Sequence, residues 1–166
     1  RCFPQMFLRV LRFVRLPLVL LVIWTIGRFS LGLLGIPYAP RGNAMLSILG
    51  LTIISALIYG AMSKRVGNFN WVGTILIGVT LGLFSQILIF FATLITYAAD
   101  LDTYFRHWDA LNIPEGTTAP MAKALATRAG GFIAGPILGT ITALIGRAVF
   151  GKLAPGGDEA GAARLS

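Results

Sequence analysis

The sequence predicts an all-α, polytopic membrane protein: a four-transmembrane-helix bundle with a short interfacial helix on its outer surface. Three observations carry that expectation. Apolar stretches fall at about 16–36, 44–62, 71–99 and 129–151, and a helix needs about 20 mainly apolar residues to cross a hydrocarbon core. Hydrophobic residues make up 56% of the 166-residue chain and charged ones only 12%, against about 25% in soluble domains. The charges that do occur cluster between the apolar stretches. Residues 1–152 therefore read as one transmembrane domain with an outer loop at 100–128, and 153–166 as a flexible, Gly/Ala-rich cytoplasmic tail.

Orientation follows from the distribution of charge. With four crossings, Arg1, Arg9, Arg12, Arg15, Lys64, Arg65, Arg147, Lys152 and Arg164 share one side with only Asp158 and Glu159. Arg41, Arg106, Lys123 and Arg128 share the other with Asp100, Asp102, Asp109 and Glu115. The positive-inside rule then puts both termini in the cytoplasm, in a membrane of the bacterial inner-membrane type. The basic balance is a matter of topology and attraction to anionic lipid. No nucleic-acid motif accompanies it.

At the start of the chain, Arg9, Arg12 and Arg15 recur every three residues and give a basic stripe on an amphipathic lead-in lying at the lipid headgroups. The apolar run that follows is too long for a signal peptide and is read as a retained anchor. In the first span, Arg28 is a charge near mid-membrane, which costs about 2.5–3.5 kcal/mol on insertion scales. Snorkelling to headgroups, a bond within the bundle to Gln86 of span three, or a ligand or partner could each offset it. The following turn, with Pro37, Pro40 and Gly42, is a stiff hairpin. Its Arg41 is expected at lipid headgroups, and its Asn43 is expected to cap the second span.

Small residues at four-residue spacing mark the helix-packing faces. Thr52, Ala56 and Gly60 form one on span two, Gly78 and Gly82 one on span three. Gly131, Gly135, Gly139 and Ala143 form the longest, on span four. Pro136 lies within that strip and should bend its helix. Span three is long enough to tilt, with Ser85 and Gln86 as its central polar pair. In the outer loop, Leu101, Tyr104, Phe105, Trp108 and Leu111 fall at helical spacing and predict one aromatic face. Asp102 is placed to pair with Arg106 at i,i+4. Residues 121–128 are expected to begin helix four ahead of the bilayer, with Pro120 in its first turn.

One Cys (Cys2) and one His (His107) exclude an intrachain disulfide, a Cys/His zinc site and a Cys-ligated cluster built from this chain alone. The expectation is a non-enzyme with no intrinsic cofactor or metal. The leading function is an accessory subunit that packs against a larger membrane complex. It would hold lipid, quinone or pigment at an interface and have other integral membrane subunits, or copies of itself, as partners. Two other classes stay open: an oligomeric transporter or channel for an anionic or polar solute, using Arg28 and Gln86, and a lipid-modifying enzyme using Asp100, Asp102 or His107 with Arg41.

Overall fold

A computed structural model describes residues 2–35 and 46–154. The proline-containing turn with Arg41 and Asn43, and the tail beyond residue 154, lie outside the described residues. The described chain is helical throughout, with no strand among the described residues. The helices are α1 (Cys2–Phe13), α2 (Arg15–Leu33), α3 (Ile48–Met62), α4 (Trp71–Ala98), α5 (Trp108–Leu111) and α6 (Met121–Ile145). A 3₁₀ turn (Tyr104–Arg106) precedes α5, and a π-helical turn (Gly146–Phe150) extends α6.

Three helices are long and apolar enough to cross a membrane: α2, α4, and α6 with its π turn. The expected fourth, α3, has 15 residues, about 22 Å at 1.5 Å per residue. That falls short of a core about 30 Å thick. The shortening is local: Ser47 caps α3, its side-chain oxygen accepting the Gly50 N–H at 3.1 Å, so helix begins four residues later than the apolar run.

α1 and α2 are nearly continuous. Val14 donates its N–H to Val10 O at 2.9 Å and accepts from Leu18 N at 3.1 Å. The break between them has a covalent cause, since Pro17 has no N–H to offer the Phe13 carbonyl four residues back. Val10 and Val14 are fully buried, so α1 is docked on the protein, against α4. Arg9 reaches the Gly67 carbonyl (3.3 Å) and lies over the Phe69 ring, while Arg12 and Arg15 stay exposed. The basic stripe is thus split: one arginine holds the α3–α4 turn and two face outward.

α4 is the hub. It packs on α1, α2, α3 and, most extensively, α6. Asn70 caps it by accepting the Gly73 N–H at 2.9 Å. The α4–α6 seam is built on glycine: a Cβ at Gly78 would overlap the backbone of Gly139 and Thr140, and one at Gly82 the backbone of Gly135 and Pro136. α3 joins by the same device, with Gly60 against the Ala143 backbone and Gly146 against that of Leu57. Backbones approach this closely only where side chains are absent. α6 runs unbroken through Pro136.

The polarity of the bundle is reversed relative to a soluble domain. Large aliphatics such as Leu16, Ile23, Ile54, Ile133 and Ile141 are about half or more exposed, while Thr52, Ser63, Thr74, Ser85, Thr93 and Thr96 are buried. Most of these hydroxyls satisfy themselves on their own helix, as Ser85 does on Gly82 O (2.9 Å) and Thr93 on Ile89 O (2.8 Å). Such a surface is compatible with a multi-pass membrane protein, because apolar exteriors of this extent need a non-aqueous covering.

The loop after α4 departs from the expected aromatic helix. Asp100 adopts a left-handed conformation (φ 48°), which ends α4. Thr103 then bonds Thr96 through their hydroxyls at 2.7 Å, and folds the chain back onto the bundle. Residues 101–103 are not helical, so Asp102 and Arg106 never acquire i,i+4 geometry. Arg106 pairs with Asp100 instead, at 2.5 Å. Only single turns form, at Tyr104–Arg106 and Trp108–Leu111, separated by an extended His107 (ψ 143°). Phe105 (1% exposed) plugs the bundle beside Phe29, and Leu111 joins a separate small cluster with Ala119 and Ala124.

Candidate functional site

Where α2, α3, α4, α6 and the 104–110 segment converge, the structure forms a half-open cavity of about 350 Å³. Its polar lining comprises Arg28, Ser47, Gln86, Tyr104, Asp109 and Arg128; its apolar lining includes Ile48, Leu49, Ile89 and Phe105. Each polar group arrives from a different element, so the cavity exists only in the assembled bundle.

Arg28 is 8% exposed. Its Nη1 donates to the Leu46 carbonyl at 2.8 Å, and its guanidinium carbon sits 3.5 Å from the centre of the Tyr104 ring. A desolvated cation over an aromatic face gains about 2 kcal/mol, and a charge-assisted bond to a carbonyl about 1.5–3. Together these match the insertion cost of the charge, which explains how α2 tolerates it. The bond expected with Gln86 is replaced by the one to Leu46. Gln86 lines the same cavity from the α4 side, its amide packed over Gly131 and Gly135, where any larger residue on α6 would displace it.

Arg128 enters from α6. It is spaced three and seven residues from Gly131 and Gly135, which places it on the α6 face that meets α4. Its Nε is sealed from solvent with no hydrogen-bond partner among the described residues. Two like charges, Arg28 and Arg128, thus line one cavity. Two cations meet one carboxylate in the lining, Asp109, and that residue is itself partnered. The α3 N-terminus also opens here, at Ser47, Ile48 and Leu49, and its dipole adds positive potential to that of the arginines.

Sequence reasoning singled out Arg28 and Gln86, and the structure brings them to one cavity. It missed Arg128, which was counted with the outer loop. The overlooked signal is the i, i+3, i+7 spacing to Gly131 and Gly135, given a helix that begins at Met121. Gly78 and Gly82 face α6, Gly131, Gly135 and Gly139 face α4, and Ala143 faces Gly60 of α3. Arg9 sits at the opposite end of α2 from the cavity, holding the α3–α4 turn.

The acidic loop residues do not converge on a catalytic arrangement. Asp100 is 88% exposed and engaged by Arg106, whose guanidinium pKa its carboxylate holds above the usual value. His107 caps α5 by accepting the Asp109 N–H on Nδ1 at 3.3 Å. No group of three or more metal-ligating side chains occurs among the described residues. No protein-family model matches the chain, and neither a curated protein nor a solved structure is similar to it.

Proposed function

We propose that this chain is a non-catalytic integral membrane protein whose bundle holds an anionic ligand in the Arg28–Arg128 cavity. One observation carries the reading: two guanidiniums from different helices face one buried space, and one of them, Arg128, has an Nε that the protein leaves unsatisfied. Buried cations are costly unless paired, so a ligand that supplies negative charge would offset what the fold leaves open. The volume lies at the lower end of the range for small-molecule sites.

Closure of the α4–α6 seam argues against a conduit between those two helices. Past Gln86, the α4–α6 seam is closed by the backbone contacts of Gly82 with Gly135 and of Gly78 with Gly139. A role as a subunit of a larger assembly draws support from a different feature, the row of Ile133, Ile137, Ile141 and Ile145 along the exposed face of α6. A partner helix would cover it as well as lipid does, and extraction in mild detergent followed by mass spectrometry of the intact complex decides between them.

In this reading α3 is a fourth, short crossing, and both termini lie in the cytoplasm. Its support is the eight-residue turn 63–70, which returns the chain directly from α3 to α4 on the side that carries Arg9 and Arg147. The binding reading is tested by thermal denaturation in an uncharged detergent with a panel of soluble and amphiphilic anions. At least one class should raise the midpoint of the wild type and leave Arg128→Gln unmoved. A flat response to every anion sinks the reading.

A further inference from the structure

Resting on that reading, we infer that the ligand is an anionic phospholipid, bound through its phosphodiester, with its acyl chains leaving over Leu49 and Ile89. The charge balance favours a singly charged head. Arg28 and Arg128 face one carboxylate, Asp109, so the lining carries a net single positive charge, and a phosphodiester neutralises it. Guanidinium groups suit phosphate oxygens because their donors are arranged in a planar fork. Nη1 of Arg28 is held by Leu46 O at 2.8 Å, which orients the remaining donors of that group.

The rim distinguishes an amphiphile from a soluble anion. Leu49 lines the cavity and is also 47% exposed on the outer face of α3. The cavity thus has an aliphatic rim at Leu49 that is open to the outside of the bundle. A polar floor joined to an apolar wall suits a molecule with one charged end and one hydrocarbon end. A soluble phosphate would leave the half-exposed Leu49 uncovered. The volume exceeds that of about ten waters at about 30 Å³ each, which leaves room for a glycerol unit beside the phosphate.

The experiment is native mass spectrometry of the intact chain in uncharged detergent, titrated in parallel with phosphatidylglycerol, phosphatidylcholine of the same acyl composition, and water-soluble glycerol phosphate. Wild-type protein should retain one phosphatidylglycerol about tenfold more tightly than phosphatidylcholine, because both carry the phosphodiester but the choline cation leaves the positive charge of the lining unneutralised. Arg128→Gln should abolish that preference without loss of helix content, because Arg128 makes no hydrogen bond that the fold needs at Nε. Lys123→Gln, at an exposed site on α6, should keep it. Equal retention of the two lipids, or an undiminished preference in Arg128→Gln, overturns the inference. Binding of glycerol phosphate as tight as that of phosphatidylglycerol also overturns it, while leaving an anion site in place. Failure of all three to bind removes the anion site itself.

Discussion

Replacing Gly82 by alanine is the sharpest test of how the bundle is held together. The added Cβ would overlap the Gly135 carbonyl group and the Pro136 nitrogen. All are backbone atoms that no rotamer change can move aside. Relief therefore requires α4 and α6 to separate by about 1 Å, and a gap of that size forfeits about a quarter to a half of each contact well along the seam. Overpacking of this kind costs about 1–3 kcal/mol, or about 2–4 °C in denaturation midpoint for each kcal/mol in a chain of this size. Gly130→Ala is the internal control. It lies on α6, the partner helix of the seam, one residue from the packed strip, but its Cβ would meet nothing within 4 Å, so it should be neutral or gain about 0.5–1 kcal/mol from helix propensity. Far-ultraviolet circular dichroism of the two variants during thermal denaturation in detergent makes the comparison. The packing argument fails if Gly82→Ala melts at or above the wild type. A second check is coupling: Gly82→Ala and Gly135→Ala demand the same separation, so the double variant should lose less than the sum of the singles.

Arg28→Leu removes both the bond to Leu46 O and the stacking on Tyr104, and should lower stability by about 2–4 kcal/mol; an unchanged unfolding midpoint in detergent would show that Arg28 has no structural share. Thr103→Val deletes the hydroxyl that bonds Thr96 and caps the Phe105 N–H at 3.3 Å, at a cost of about 1–2 kcal/mol, seen first as faster amide exchange across residues 101–111. Arg147→Leu leaves the Phe69 carbonyl and the Thr74 hydroxyl without their donor, and should speed proteolysis in the 63–70 turn at both low and high salt. Asp100→Asn should change the midpoint within error, because the pair it breaks is solvent-exposed, whereas a marked loss would give that pair a role its exposure does not explain.

Apolar length alone made α2, α4 and α6 legible, since helices that are hydrophobic all round leave no ambiguity of period. The limits of α3 were not legible, because hydropathy does not register where a serine takes over a helix start. The loop after α4 was misread for a related reason. Its aromatic spacing suited one helix, but the Thr96–Thr103 bond joins residues on two elements, a tertiary choice that local periodicity does not encode. Arg28 and Gln86 stood out as polar residues in apolar runs. Arg128 did not, although a helix start near Met121 was legible, because its charge balances the acids of the outer loop and so reads as topology rather than as part of the Gly131–Gly135 face.

The hub position of α4 has a consequence for how the chain is made. α1, α2 and α3 meet one another only locally, as where Phe13 packs on Tyr59, whereas α4 packs on all three. These three therefore gain a common surface only once α4 has been made. The glycine seam is completed later still, when α6 arrives and closes both the bundle and the cavity around Arg28. Until then Arg28 and Gln86 lack the wall that α6 and Arg128 provide. Truncation after residue 98 should therefore yield a species that inserts but stays susceptible to membrane proteases, and quality control would recognise it by polar groups not yet enclosed.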